Sequence, residues 1–408
     1  MAAFLDRVNI GFAKLQMLSD LHFSNAAYGL GAGIFFIGYA LFEVPSNLVL
    51  ERVGARIWIA RIMVVWGFIS LSTMFVATAT QFYVVRFLLG VAEAGFFPGV
   101  ILYLTYWFPA HVRSRTVAVF MTAPVLSSVI GSPLSGLLLQ LDGALGLRGW
   151  KLLFLTEAVP SILLGIVVLL YLPNGPQKAK WLAPDERDLI EARLSAERKQ
   201  AEALNKMTLG QALFDPRVLA LCAVYLSNAI GGYGLDFFQP TLIKETFGSS
   251  AATVGWINAI PAFGTVFVMV LYGRYSDRGG DRRLHFAASN WWAGAGLLLA
   301  SLPLPPAIAL AALWLAVSGR WSGLGPFWGF TTTFLSGTAA AGAIALINAV
   351  GNIGGFLGPY LMGWLKDLTG SYRLGLQILS AVMFLGGVVM ANVRVRRKLS
   401  GIPRQDVG

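Results

Sequence analysis

The 408-residue chain holds one cysteine and three histidines, and only 12% of its residues carry a charge, about half the fraction usual in soluble proteins. A lone Cys222 excludes an internal disulfide and a cysteine-based metal site. His22, His111 and His285 fall near the ends of apolar runs, and no HExxH, Walker or GxSxG pattern is present. The common zinc, phosphate-loop and nucleophile chemistries are therefore not encoded, and neither a metal nor a cofactor is expected. A sensor or scaffold, the other rival class, is disfavoured by the lack of any sizeable polar segment. No cleavable leader pattern is visible.

What is abundant is apolar sequence: 56% hydrophobic residues at a mean hydropathy of +0.67. Apolar runs lie near residues 1–18, 27–50, 57–78, 80–108, 116–139, 151–172, 217–240, 253–273, 284–302, 306–334, 338–365 and 373–393. At 1.5 Å per residue a helix of about 20 residues crosses a bilayer. The expected fold is thus an all-α membrane protein with twelve transmembrane helices, divided into halves 1–172 and 216–393 by a polar linker, 173–215, and followed by a tail, 394–408. Most of the 31 lysines and arginines fall on one set of alternate loops. Loops carrying Arg52, Arg113, Lys178, Arg282 and Arg396 are therefore assigned to the cytoplasm, with both termini. The formal charge of +11 then reports topology and anionic lipid, not nucleic acid. The first run places Asp6 and Arg7 close to Met1 and reads as a first helix lacking an upstream segment.

In the fourth run Arg86 and Glu93 are seven residues apart, two helical turns, on one stripe with Tyr83, Gly90 and Phe97. A charge at that depth costs roughly 3 to above 10 kcal/mol unless it meets water or a partner. Both are expected to face a polar interior, in a ligand site or in a structural ion pair.

Two cytoplasmic loops match at an offset of 226 residues: Glu51, Arg52 and Gly54 align with Asp277, Arg278 and Gly280. An acid-Arg-x-Gly turn repeated at the spacing of the halves signals duplication and a turn used in conformational change. In the linker, Trp181–Gln200 reads as a surface amphipathic helix with Trp181, Leu182, Leu189, Ile190 and Leu194 on one face and a Glu191–Arg187 pair. The Gly- and Ala-rich eleventh run, suited to close helix contact, sets Asn348 and Asn352 one turn apart, to bond either a ligand or a neighbouring helix. Arg320 falls near the middle of the tenth run.

Four motifs resemble the anion:cation symporter branch of the major facilitator superfamily: LDRVN at Leu5–Asn9, GYALFEVPSN at Gly38–Asn47, RFLLGVAEAGFFPG at Arg86–Gly99 and FLSGTAAAGAIALINAVGNIGGFLGP at Phe334–Pro359. The resemblance covers nearly the whole chain. It implies two six-helix bundles around a central cavity, working by rocking in a cell membrane, as a monomer, to import a small organic carboxylate (a hydroxydicarboxylate such as tartrate, a sugar acid or an aromatic acid) with protons. Within the branch it is most similar to bacterial tartrate and phthalate permeases. It places the branch's Asp-Arg pair on Asp6 and Arg7, its cavity tyrosine on Tyr39, its fourth-helix pair on Arg86 and Glu93, and its eleventh-helix asparagine on Asn348 or Asn352. The short amino terminus and Arg320 depart from the pattern.

With Asp6, Arg7, Arg86 and Glu93 around one cavity, an entering carboxylate competes with the protein's acids for guanidinium. Protonating an acid removes the repulsion and frees an arginine for a bidentate grip. Glu93 is expected to be the main coupling site and Asp6 the second, with Arg7 and Arg86 anchoring the anion and Tyr39 bonding it. An organic anion exchanger or uniporter of the same fold is the alternative.

Overall fold

The computed structural model describes residues 2–109, 116, 120, 122–203, 209–279, 281–331 and 337–393, and within these every regular element is helical. Among the singled-out residues, His111, Arg113, Gly280 and Arg396 lie outside the described set, as does the segment 394–408. Twelve long helices follow one another: α1 Ala2–Leu21, α2 Asn25–Val53, α3 Ala55–Ser72, α4 Ala79–Glu93, α5 Ala123–Gln140, α6 Gly149–Tyr171, α7 Pro216–Asp236, α8 Ala251–Gly279, α9 Arg282–Ala300, α10 Pro306–Thr331, α11 Gly337–Thr369 and α12 Arg373–Asn392. Among the described residues ten spans are long and apolar enough to cross a membrane, the fourth only when α4 is taken together with the chain as far as Thr105; α1 and α9 complete the set by position.

Helix ends follow local chemistry. Ser24 caps α2 by accepting from the Ala27 amide, and Thr78 and Gln81 form a reciprocal capping box on α4. Asp215 and Asp281 cap α7 and α9. Gly54 ends α2 at φ +95°, a conformation that costs little only without a β-carbon. Of the repeated acids, Asp277 meets Arg282 at 3.0 Å, while Glu51, like Arg52, is exposed.

Two expectations change. The fourth run is not one helix: it breaks at Ala94 and Gly95 (φ +83°) and resumes as Phe96–Thr105. The freed Ala94 carbonyl accepts from Ser46 Oγ at 2.6 Å, so the break is satisfied within the protein, as the apolar environment requires. Phe97 therefore leaves the stripe of Arg86 and Glu93, and its ring instead meets Phe120 at 5.7 Å. In the linker, the helix Pro184–Ala203 forms, but Arg187 donates to the Leu182 carbonyl and Glu191 meets Gln177 in place of each other. Leu194 is buried, whereas Trp181 is exposed and stacks on Trp107.

The halves meet along two pseudo-equivalent seams, α2 against α11 and α5 against α8. At both, backbone approaches backbone at glycine: Gly29 faces the Pro359 carbonyl, Gly363 that of Asn25, Gly136 that of Ala251 and Gly255 that of Ser132. At the end away from the basic loops, Asp367 accepts from the Asn25 and Ala26 amides at 3.1 and 2.6 Å, capping α2 from the opposite half. Lys14 Nζ donates to the Tyr372 hydroxyl at 2.8 Å nearby.

A methyl group at such a seam has nowhere to go, and overpacking costs about 1–3 kcal/mol. Gly363→Ala is expected to lower the thermal midpoint of detergent-solubilised protein, while Gly273→Ala, which meets open space, leaves it unchanged. Equal midpoints would contradict the seam.

Candidate functional site

Arg7 on α1 stands where the halves meet. Its Nη2 donates to Glu93 Oε1 at 2.6 Å, within one half, and its Nη1 donates to the Tyr233 hydroxyl of α7 at 3.3 Å, across the interface. The guanidinium lies 5.0–5.9 Å from the rings of Phe4, Phe35, Phe36 and Tyr39, contacts that suit a desolvated cation. Glu93 is 3% exposed because it is the last residue of α4 before the break, where the chain turns its carboxylate toward α1. A cavity of about 60 Å³ opens beside Arg7, lined also by Tyr233, Asp236, Gln239, Asn258 and Trp321.

The sequence places four charges on one cavity; among them only Arg7 lines it. Asp6 points the other way, accepting from Trp66 Nε1 at 2.6 Å, Ser70 Oγ at 2.7 Å and Asn9 at 3.4 Å. Neighbours on a helix diverge by about 100°, so adjacent Asp6 and Arg7 cannot share a direction. Asp6 fastens α1 to α3. Arg86 is 1% exposed, lies 5.0 Å from the Phe35 ring and donates to the Ala32 carbonyl at 3.4 Å, with Nε unpartnered. It fastens α4 to α2 and, among the described residues, forms no ion pair. Tyr39 is buried, its ring 6.0 Å from Phe35 and outside the cavity lining.

Asn348 and Asn352 take the helix-bonding alternative. Their amides donate to the two oxygens of Glu43 on α2, at 2.6 and 3.3 Å. Glu43 was legible as a carboxylate inside the second run yet was not singled out. Glu157, bonded by Ser135 Oγ at 2.8 Å, and Lys14 are further buried charges that the same reasoning should have flagged. Arg320 is a genuine mid-helix residue of α10, ion-paired with Asp236 of α7.

Two helical halves meet at a small cavity beside buried ion pairs, an architecture found in membrane transporters. The chain belongs to the Major Facilitator Superfamily, whose model matches residues 1–227 and 221–406. It is 50% identical to the Agrobacterium vitis "Putative tartrate transporter" over 95% of this chain and 89% of that protein. It is 44% identical to the Pseudomonas putida "Putative metabolite transport protein NicT" (94% and 88%) and 39% identical to the inner membrane transport protein RhmT of Escherichia coli (98% and 92%). A bacterial homologue of human lysosomal Spinster, solved inward-facing and occupied, superposes with a TM-score of 0.75 at 18% identity, covering 96% of this chain and 93% of that one. A D-xylose–proton symporter gives 0.73 at 15%, covering 97% of each.

Removing one partner of a buried bond leaves a polar orphan at about 1–3 kcal/mol, whereas removing both is nearly neutral. Glu43→Leu is thus expected to destabilise the protein more than Glu43→Leu combined with Asn348→Ala and Asn352→Ala. Additive losses in thermal unfolding would show that the three do not act as one cluster.

Proposed function

We propose that this protein carries a small organic carboxylate inward together with protons, as a monomer in the bacterial inner membrane with both termini cytoplasmic. The Arg7–Glu93 pair beside the cavity is the observation that carries this reading. While Glu93 is ionised, it and an incoming carboxylate compete for one guanidinium, and two like charges in a low-dielectric site repel strongly. A proton on Glu93 removes that repulsion and releases Arg7, whose fork takes the anion in Glu93's place. Anion and proton then enter only together.

Arg7 also reaches Tyr233 across the interface, so its choice of partner bears directly on how the halves sit. Asp6 and Arg86 act indirectly, by holding α1 and α4 in the register that brings Arg7 to Glu93. Asn348, Asn352 and Glu43 serve as an inter-half tie, and the Glu51–Gly54 and Asp277–Gly280 turns as the flexing ends of the halves. The relatives named for tartrate and metabolite transport support an anionic metabolite as cargo, and the relative named as an inner membrane protein supports the location.

Glu93→Gln keeps a hydrogen bond to Arg7 but fixes the uncharged state. In proteoliposomes this variant is expected to lose accumulation driven by a pH gradient while retaining counterflow exchange. Wild-type-like accumulation against a gradient would contradict the assignment.

A further inference from the structure

Lys14 of α1 is a buried charge to which the carrier reading assigns no part. It is 3% exposed. Its amine lies 5.3, 3.8 and 5.0 Å from the rings of Tyr28, Phe238 and Tyr372 and donates to the Tyr372 hydroxyl at 2.8 Å. Among the described residues it forms no ion pair: Lys366, 4.2 Å from the same Tyr372 ring, takes Glu245 at 3.1 Å, and Asp367 accepts from the Asn25 and Ala26 amides. An ammonium at membrane depth costs far more than a neutral side chain, and a contact that only fastened helices could be made without the charge. Arg86 bears the same cost, but its partners Ala32 and Phe35 belong to its own half and stay with it however the halves move. The cage of Lys14 is divided: Tyr28 comes from its own half, Phe238 and Tyr372 from the other.

Position determines what the charge meets when that cage divides. Lys14 follows Arg7 by two helical turns, about 10 Å along one face of α1. Gly11 between them faces the carbonyls of Asp236 and Phe237. The segment 237–240 is the wall separating the two cations: Phe237, Gln239 and Pro240 line the cavity beside Arg7, while Phe238 presents its ring to Lys14. Beyond Lys14, at the end away from the basic loops, Tyr372 donates to Asn25 Oδ1 at 3.1 Å and Asp367 caps α2. Parting the halves at that end withdraws Phe238 and Tyr372 together and leaves a bare ammonium on the way to Arg7.

We propose that Lys14 is an outer capture site for the anion: with the outer end open its amine takes the incoming carboxylate, passes it to Arg7, and returns to the cage of Tyr28, Phe238 and Tyr372 as that end closes. This rests on the carboxylate-carrier reading and adds to it a residue that acts at one face only. An ammonium binds as a point charge without the fork of a guanidinium, which suits a hold that must be released.

The test measures L-tartrate flux from each face separately, by uptake into intact cells for the outer face and into everted membrane vesicles for the inner one. Lys14→Met, which keeps a long side chain and removes its charge, is expected to raise KM at the outer face by about tenfold, the worth of one charge-assisted hydrogen bond. KM at the inner face is expected to stay within about twofold of wild type. An unchanged outer-face KM overturns the proposal, as does an equal rise at both faces, which would mark Lys14 as a structural lock. If Lys14→Met does not reach the membrane, Tyr372→Phe, which loosens the amine's seat and leaves its charge, decides: a lower outer-face KM supports the capture site, an unchanged or higher one overturns it. Cells carrying wild-type protein that take up neither tartrate nor a sugar acid nor an aromatic acid sink the carrier reading; uptake by Lys14→Met with the wild-type outer-face KM sinks only this one.

Discussion

One guanidinium in an apolar surrounding has to be neutralised, and in this chain Arg7 has a choice of how. Its carboxylate partner lies 86 residues away on another helix and its phenol partner 226 residues away in the other half. Stripping such a pair of either member leaves an uncompensated buried charge at about 3–5 kcal/mol. That penalty is what makes the pair usable as a switch: any event that removes Glu93's charge obliges Arg7 to find another anion, and the cavity beside it is where one can come from.

The rest of the fold holds this choice open. Asp6, bonded to Trp66 and Ser70, sets the rotation of α1. The break at Gly95 stops α4 where Glu93 can turn inward. Glycine at both seams lets the halves come together backbone to backbone, and packing of this kind supplies most of the attraction between helices where no water is available to drive association. Polar ties across the halves include Glu43 with Asn348 and Asn352, Asn258 with Ser132, Asp367 with the amino end of α2, and Lys14 with Tyr372. Such an interface can separate at one end without dissolving.

Much of this is legible in the sequence, and the reasons for the remainder are physical. Twelve runs, the linker and the repeat follow from hydropathy and spacing, because the bilayer fixes helix length and forbids irregular backbone facing lipid. Arg7 and Glu93 stand out as charges in apolar runs, but which charges meet does not follow from that. Arg86 shares a helical face with Glu93, yet seven residues at 1.5 Å place them about 10 Å apart along the axis, too far for an ion pair; that arithmetic was open to the sequence. The break at Gly95 was not, since GFFPG inside an apolar run is compatible with a continuous helix. Partners distant in sequence, Asp236 for Arg320 within one half and Glu43 for the asparagines across the two, depend on how the helices are arranged in space, which only the fold supplies.

Proton uptake on binding tests the central claim most directly, because it reads the exchange of partners at Arg7 without needing transport. Calorimetric titration of a bound carboxylate, repeated in buffers of different ionisation enthalpy at a pH where free Glu93 is ionised, counts the protons taken from the buffer. The account requires net uptake of about one proton or more per anion bound. Binding with no proton uptake would mean that the anion and the hydrogen ion ignore each other, and the account would fail.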